Sequence, residues 1–277
     1  MPELPEVEAM RRGITQSVGS TIRSVRQTPS RYRPIRIDPS WEAVESGVVG
    51  RRIERVERSG KRVLSGLSCD WWLVIQPKMA GMLLAGDPPT PEHVRWQLDC
   101  QGASDCTITY WDRRGLGTLA LWSDPELKER LGADAMGPDA LGIDGERLRA
   151  IFGGLKRPIK PALMDQAKLA GVGNLYASEI LFRCGISPRR RCHRIGKRAW
   201  DAIAASTRAI LLDAINQGGS TLRDGTYLMV NGESGGYQEA HQVYGREGLP
   251  CPRCGMAVRR IVQAQRSTFY CPRCQVG

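Results

Sequence analysis

The sequence predicts an α+β protein with an amino-terminal β-sandwich flanked by helices, then a helical domain that ends in a four-cysteine hairpin. Three observations support this fold class. Short apolar runs separated by Gly, Pro and Asp fill residues 21–121, longer amphipathic segments follow, and two Cys-x-x-Cys pairs stand near the end. We therefore expect domains at residues 2–124, 125–245 and 246–277.

In the first half, a helix is predicted from about Pro5 to Val18, because its apolar residues repeat at helical spacing before Gly19. The next hundred residues are typical of a strand-rich region, with apolar runs at 62–67, 71–75, 94–99, 106–111 and 117–121. Asp124 before Pro125 matches an N-cap followed by proline at the first helical position. We expect the helical half to begin there.

In the second half, helices are predicted at residues 145–152 and 160–166, from Asn174 onward, and at 197–216. The last of these carries apolar residues alternately three and four apart, which indicates one buried face. Residues 219–236 are rich in Gly, Ser and Asn and predict a long loop. Loops of that length inside a domain are usually functional lids or disordered.

The charge indicates an anionic partner. The net charge is +11, so nucleic acid or a membrane surface would be attracted.

No apolar run reaches eighteen residues, and acids occupy the amino terminus where a signal peptide needs bases; we expect a soluble, cytoplasmic protein. Nine cysteines without an export signal favour thiols or metal sites over disulfides. Two basic clusters stand out, although such runs also form ordinary solvated surfaces: Arg183, Arg189, Arg190, Arg191, Arg194, Lys197 and Arg198, and six arginines from Arg246 to Arg273.

The terminal cysteines form the strongest local motif. Two Cys-x-x-Cys pairs, separated by sixteen residues, suit tetrahedral zinc, because each turn presents two thiolates and the intervening chain can form a hairpin. Four free or redox-active thiols are the alternative. A site with four protein ligands has no open position, so we expect one structural Zn²⁺ that folds the tail. Its ligands would be Cys251, Cys254, Cys271 and Cys274.

Two weaker motifs have both a chemical and a purely structural interpretation. The glycine-rich turn at residues 170–174 leads directly into a helix, whose first N–H groups could bind an anion, but such turns also serve packing alone. Removal of Met1 would expose the secondary amine of Pro2, with a reference pKa near 8, as a nucleophile next to Glu3. The alternative is a helix start with acids placed at its dipole.

Together the motifs resemble one family across nearly the whole chain. The opening Pro-Glu-Leu-Pro-Glu-Val-Glu, the segment from Gln166 through Asn174 to Glu179, and the cysteine pairs are similar to formamidopyrimidine-DNA glycosylase, whose family includes endonuclease VIII. Leu4 favours the purine-repairing branch. The resemblance implies a bifunctional glycosylase and abasic-site lyase that excises oxidised purines, formamidopyrimidine and 8-oxoguanine, from duplex DNA in base excision repair. It implies a monomer with a helix, two-turn, helix motif, and DNA in a groove between its domains.

The resemblance also assigns roles to individual residues. It makes Pro2 the nucleophile, Glu3 the acid that assists deoxyribose opening, and Lys61 a DNA contact that assists the first elimination. Arg266 would bind phosphate and serve the second elimination. The remaining matched DNA-binding positions are Met79, His93, Arg114, Leu116, Lys156, Lys160 and Asn174.

The chain departs from the family pattern at the residues expected to fill the gap left by an extruded base. Gln76-Pro77-Lys78-Met79 replaces His-Leu-Gly-Met, so Met79 is kept on an altered flank, and Leu116 replaces a phenylalanine. These changes leave open an endonuclease VIII-like preference for oxidised pyrimidines. A non-enzymatic zinc-finger DNA binder is the other alternative, which the presence of Pro2, Glu3 and Lys61 disfavours.

Overall fold

The computed structural model describes residues 2–221 and 235–277, and the chain divides into two units. The first comprises Met1–Gly132 and Gln217–Gln238, and the second Ala133–Asn216 and Glu239–Gly277. The segment 217–238 thus groups with the amino-terminal unit, which a linear division into three ranges does not anticipate. The predicted domain boundaries stay a prediction, whereas the predicted α+β class is confirmed.

Among the described residues of the first unit, nine strands form two sheets, as a sandwich requires. A four-stranded antiparallel sheet has the order β1-β7-β8-β6, and a five-stranded sheet has the order β2-β9-β5-β4-β3, in which only β2 and β9 pair in parallel. Buried side chains from both sheets form one core. The strands are β1 (Thr21–Gln27), β2 (Arg36–Asp38), β3 (Ile53–Ser59), β4 (Arg62–Leu67), β5 (Trp71–Gln76), β6 (Gly81–Ala85), β7 (Val94–Gln101), β8 (Cys106–Asp112) and β9 (Thr118–Ser123).

Two helices contribute side chains to the core of this sandwich. Helix α1 (Leu4–Gly13) buries Val7 and Met10 in the shared core, while α2 (Trp41–Val48) begins at the N-cap Ser40. The predicted first helix extended to Val18, but a 3₁₀ turn replaces its last part. Gly13, followed by β-branched residues, weakens helix propagation there.

The five apolar runs are all strands, but β1, β2, β3 and β6 and the helix α2 were not predicted individually. Bulges explain two of the omissions. The pairing register shifts after Ile22 in β1 and after Ile53 in β3. In each strand the next buried residue therefore comes three positions later, at Val25 and Val56, and the alternation of period two is lost.

Helix α3 (Asp124–Leu131) belongs to the first unit, although the sequence suggested that it opens the helical half. Ser123 is its N-cap and forms a capping box with Glu126, one residue earlier than predicted. Leu127 and Leu131 pack on a small cluster around Trp72, on the outer face of the five-stranded sheet. The helix covers apolar surface that the core does not use.

The second unit contains four helices and a hairpin among its described residues: α4 (Gly145–Phe152), α5 (Ile159–Leu163), α6 (Asn174–Arg183), α7 (Lys197–Asn216), β10 (Arg259–Gln263) and β11 (Arg266–Tyr270). All four predicted helices are present, with α5 shorter than expected. The predicted buried face of α7, which includes Trp200 and Ile210, is buried. Within the described part of the chain, no helix combines the length and apolarity needed to cross a membrane.

Candidate functional site

The amino-terminal site of the first unit is built on the start of α1. Pro2 and Glu3 are both buried, and Glu3 is the N-cap. The Glu3 backbone N–H donates to Glu6 Oε2 at 2.8 Å, which completes a capping box. The residues predicted as nucleophile and acid therefore lie side by side on a fixed helix start.

Glu6 connects this helix start to the segment that precedes the long loop. Its other oxygen, Oε1, accepts the Ser220 N–H at 2.9 Å. Gly219 lies against the same carboxyl group with φ +78, and a Cβ there would come within 2.8 Å of Glu6 Oε1. Only glycine suits both the left-handed backbone and the close approach. Sequence reasoning missed Glu6, because an acid at the third helical position indicates capping alone.

The two described ends of the long loop pair with each other. Ser220 and Gly236 form an antiparallel bridge, Tyr237 N–H donates to the Gly219 carbonyl at 3.0 Å, and Gly235 N–H donates to Thr221 Oγ1 at 2.8 Å. The loop predicted from 219 to 236 is thus anchored at both ends beside Glu6. Residues 222–234, its middle part, lie outside the described residues.

Lys61 lies on the two-residue turn between β3 and β4, where Gly60 adopts φ +55. Arg58 donates to the Gly60 carbonyl at 3.0 Å, and its Nε lies 3.3 Å from Glu8 Oε2 on α1. The turn that carries Lys61 is therefore connected through Arg58 to α1, the helix that Pro2 and Glu3 precede.

Glu8 is the ionic centre of this connection. Burial opposes its ionisation, but hydrogen bonds and charges from Arg11, Arg12 and Arg58 outweigh that effect and hold the Glu8 pKa below its ordinary value. Its ion pairs with Arg11 and Arg12 measure 2.9 and 3.0 Å. The carboxylate is thus charged at neutral pH and available to orient Arg58.

The predicted gap-filling residues lie on two adjacent loops of the first unit. Met79 is 39% exposed, and Arg114 donates to its sulfur at 3.4 Å. Leu116 is half-buried on the same loop as Arg114. The structure therefore brings Met79 and Arg114 into contact, and it leaves part of the Leu116 side chain accessible.

Asp112 shapes the loop of Arg114 and Leu116. Its carboxylate is fully buried and accepts the backbone N–H groups of Arg114, Gly115 and Gly117 at 2.9, 3.0 and 2.8 Å. Gly115 has φ +60, and a Cβ there would meet the Arg33 carbonyl oxygen. The Asp-x-Arg-x-Leu-Gly sequence therefore encodes a loop folded around its own first side chain.

His93 has a different environment from the other predicted DNA contacts. It is 7% exposed, and its ring lies 4.7 Å from that of Tyr32 and 5.2 Å from that of Trp111. Its Nε2 lies 3.2 Å from Glu92 Oε1. The ring is part of an aromatic cluster, and its predicted contact with DNA stays a prediction.

The second unit joins the predicted phosphate-binding residues through Lys160. The Lys160 ammonium group donates to Asn174 Oδ1 at 2.6 Å, to the Ser267 carbonyl at 3.1 Å and to Thr268 Oγ1 at 2.8 Å. Asn174 is the first residue of α6, and Ser267 and Thr268 follow Arg266 in β11. Lys160 is only 1% exposed. Its predicted phosphate contact stays a prediction, and the observed hydrogen bonds support an indirect role.

Arg266 and Lys156, in contrast, are both exposed. Arg266 begins β11 after the turn residues Ala264 and Gln265, which adopt φ +46 and +58. Two consecutive left-handed residues are typical of the tight hairpin turn that matches strand twist. The turn therefore projects a cation from a rigid hairpin.

The four terminal cysteines cluster as a zinc site requires. Their sulfurs lie within 4.8 Å of one another; the Cys251–Cys274 pair is 3.9 Å apart and the Cys254–Cys271 pair 3.5 Å. Zinc–sulfur bonds of about 2.3 Å in a tetrahedron place sulfurs about 3.8 Å apart. The donor set therefore fits one structural Zn²⁺.

The zinc hairpin is attached to the end of α6. Arg253, between the first two cysteines, donates to the carbonyls of Phe182 and Arg183 at 3.0 and 3.1 Å. These carbonyls belong to the last turn of the helix, where cations are favoured. Glu179, one turn earlier, is 2% exposed and accepts the N–H groups of residues 242–244. Sequence reasoning assigned no role to Arg253 or Glu179.

The four-cysteine hairpin places this chain among zinc-finger proteins, and its exposed arginine suits contact with nucleic-acid phosphates. Comparisons with known proteins give the family. Three family profiles match in order: the formamidopyrimidine-DNA glycosylase N-terminal domain at residues 1–119, its H2TH domain at 135–226, and the zinc finger found in FPG and IleRS at 248–276. The chain belongs to the formamidopyrimidine-DNA glycosylase family of DNA-repair enzymes.

Full-length relatives agree with the profiles. A formamidopyrimidine-DNA glycosylase of Cereibacter sphaeroides is 37% identical over an alignment 292 residues long, gaps included, that covers 99% of this chain and 100% of the relative. The MutM (Fpg) protein of Thermus thermophilus has a TM-score of 0.85 and 36% identity, covering 99% of this chain and 98% of that one. Lactococcus lactis Fpg bound to DNA with an abasic site has a TM-score of 0.86 and 29% identity, with both chains fully covered.

Proposed function

We propose that this protein is a DNA glycosylase and abasic-site lyase that excises oxidised purines from duplex DNA, with Pro2 as its nucleophile. The supporting observation is the arrangement at the start of α1, where Pro2 precedes a buried Glu3 whose backbone is held by Glu6. Relatives carry the name formamidopyrimidine-DNA glycosylase, and L. lactis Fpg has been solved in complex with DNA that contains Fapy-dG. Both names indicate a formamidopyrimidine lesion.

The chemistry follows from the amine of Pro2. Removal of Met1 exposes this secondary amine, and an ordinary α-amino group, with a reference pKa near 8, has a neutral fraction with a free electron pair at pH 7. The Pro2 amine attacks the anomeric carbon as the damaged base leaves, and opening of the sugar, assisted by Glu3, yields an iminium. Two successive eliminations then cut the strand on both sides of the lesion.

The cations of both units serve phosphate binding in this proposal. Lys61 assists the first elimination, and its turn is held by the Glu8–Arg58 pair. Arg266 assists the second elimination and Asn174 and Lys156 bind phosphates. The zinc supplies no chemistry to the reaction, because four thiolates leave it no open position; it holds the hairpin that carries Arg266.

Base extrusion precedes the chemistry. Any enzyme that acts on a base within a duplex must rotate that base out of the stack. Met79, Arg114 and Leu116 would occupy the gap, on loops held by Asp112 and by the Arg114–Met79 contact. Action on the DNA of a bacterial nucleoid is consistent with the prediction of a cytoplasmic protein.

Borohydride trapping on DNA with an abasic site tests the nucleophile. We expect the mature enzyme to form a covalent adduct that maps to Pro2, whereas a variant that retains one residue before Pro2 forms none. Full trapping by the extended variant would transfer the role to another amine, with Lys61 tested first through Lys61→Met. Absence of trapping by both proteins would support a non-enzymatic DNA binder.

The lesion class needs a separate measurement. Duplexes that contain 8-oxoguanine, formamidopyrimidine or thymine glycol should be compared under single-turnover conditions. We expect faster excision of both oxidised purines. Faster excision of thymine glycol would contradict the purine assignment and leave the Pro2 mechanism intact.

A further inference from the structure

A pair of cysteines outside the zinc site lies in the four-stranded sheet. Cys100, near the end of β7, and Cys106, at the start of β8, are direct partners in the antiparallel register. Directly opposed residues in antiparallel strands have Cα atoms about 4.5–5.5 Å apart. A disulfide requires about 4.4–6.8 Å. The Cα separation expected from this register therefore lies within the range that a disulfide requires.

The hairpin loop between the two cysteines is held in place. Ser20 Oγ donates to the Ser104 carbonyl and accepts the Ser104 N–H, both at 2.9 Å. Asp105 Oδ1 accepts the Gly102 N–H at 3.0 Å. These bonds limit the freedom of the strand ends, so that the thiols stay opposed.

The two thiols differ in accessibility. Cys106 is half-buried, whereas Cys100 is 5% exposed. Burial, together with the neighbouring Cys106, raises the pKa of Cys100 to about 12. The Cys106 thiol is therefore the one that an external reagent reaches first.

Both cysteines line an open surface pocket of about 640 Å³. Of its two acids, Asp99 accepts hydrogen bonds from Ser24 and Thr107 at 2.7 and 2.9 Å and pairs with Arg26, whereas Asp105 accepts only the Gly102 N–H and has no ion pair among the described residues. Arg23, also at the pocket, is exposed and has no partner among residues 2–221 and 235–277. Within the described part of the chain, the pocket thus holds one unpaired cation, Arg23, and one unpaired carboxylate, Asp105, beside the two thiols.

We propose that Cys100 and Cys106 form a redox-active dithiol that reacts with a low-molecular-weight peptide disulfide bound in this pocket, with a carboxylate of the reagent at Arg23. The Cys106 thiolate attacks one sulfur of the reagent, the reagent's S–S bond breaks, and a thiolate leaves. The Cys100 thiolate then attacks Cys106 sulfur and displaces the second thiolate. The two protons lost by the protein thiols protonate the released thiolates, so one disulfide is reduced as one is formed.

The raised thiol pKa has two consequences for this reaction. Little thiolate is present at neutral pH, so exchange is slow. A thiolate of high pKa is also a poor leaving group, so the finished disulfide resists reduction. The Cys100–Cys106 disulfide would therefore form under prolonged oxidising conditions and not under brief ones.

The test uses the zinc-loaded full chain and oxidised glutathione. After incubation, alkylation and peptide mapping, we expect a Cys100–Cys106 disulfide with loss of two hydrogen atoms. Cys100→Ser should accumulate a mixed disulfide at Cys106, whereas Cys106→Ser should leave Cys100 unmodified. The exposed Cys69 is the matched control, since we expect it to form a mixed disulfide with glutathione.

Arg23 provides a second, independent readout. Arg23→Ala should slow the reaction with anionic oxidised glutathione roughly two- to fivefold, the scale of an exposed ion pair, and leave the rate with neutral hydroxyethyl disulfide unchanged. Mapping of the wild-type protein decides the outcome even if a variant is unstable. The proposal is overturned if Cys100 and Cys106 remain reduced while Cys69 or the zinc cysteines react.

Discussion

Substitution of Lys160 is the sharpest test of how the second unit is organised, because the sequence resemblance and the observed hydrogen bonds indicate two different roles for this residue. The resemblance makes it a phosphate ligand. In the structure its ammonium group is buried and donates to Asn174, Ser267 and Thr268 at 2.6–3.1 Å. We expect Lys160 to position the start of α6 against the hairpin that carries Arg266.

Lys160→Met keeps the length and apolar stem of the side chain and removes the hydrogen bonds to Asn174, Ser267 and Thr268. Each buried acceptor left without its donor costs about 1–3 kcal/mol, while removal of a buried charge offsets part of this loss. We therefore expect the free energy of unfolding to fall by about 2–4 kcal/mol. For a chain of this size the thermal midpoint should fall by about 4–16 °C, since 1 kcal/mol shifts it by roughly 2–4 °C.

The assay combines thermal unfolding of the zinc-loaded protein with DNA binding at several salt concentrations. Lys156→Met is the matched control, because Lys156 is exposed four residues earlier and is also a predicted DNA contact. The control should keep its thermal midpoint and reduce the slope of log K against log salt by about one. If Lys160→Met behaves in the same way, Lys160 binds phosphate directly and the positioning role is wrong.

Three further predictions concern the other elements of the site. Leu116→Ala should slow base excision from duplex DNA by about ten- to a hundredfold, because burial of leucine contributes about 1.5–3 kcal/mol, but should affect cleavage at a preformed abasic site less. Leu116→Phe should restore excision. Equal losses on both substrates with a lowered thermal midpoint would identify Leu116 as a core residue. Cys254→Ala should lose one equivalent of zinc, as measured by metal analysis, and bind DNA more weakly, since metal binding folds the hairpin. Active enzyme that contains no zinc would refute the assignment. The Glu8 pKa lies below its unfolded value of about 4.5, so the stabilisation of the fold by ionised Glu8 is present above that pH and lost as pH falls through the folded pKa. Acid titration of Glu8→Gln should therefore show a shallower loss of stability than that of the wild type. Identical curves would contradict this.

The sequence alone was sufficient for features that depend on local spacing. The Cys-x-x-Cys pairs specify two thiolate turns, and the structure places all four sulfurs within 4.8 Å. The buried face of α7 follows from residues three and four apart. The five predicted apolar runs are strands in the structure, and they too were recognised from residues that are close together in the sequence. Such features need only neighbours along the chain, so their pattern survives in the sequence.

Features that depend on partners distant in the chain required the tertiary structure. Glu6 contacts Ser220, more than two hundred positions later, and Lys160 reaches Thr268 across more than a hundred. An acid three residues after an N-cap and a lysine in a short helix carry no sign of these contacts. The bulges in β1 and β3 likewise break the alternation that would have identified both strands. The sequence therefore determined which chemical groups this protein contains, whereas tertiary packing decided which lysine is buried as a support and which remains exposed.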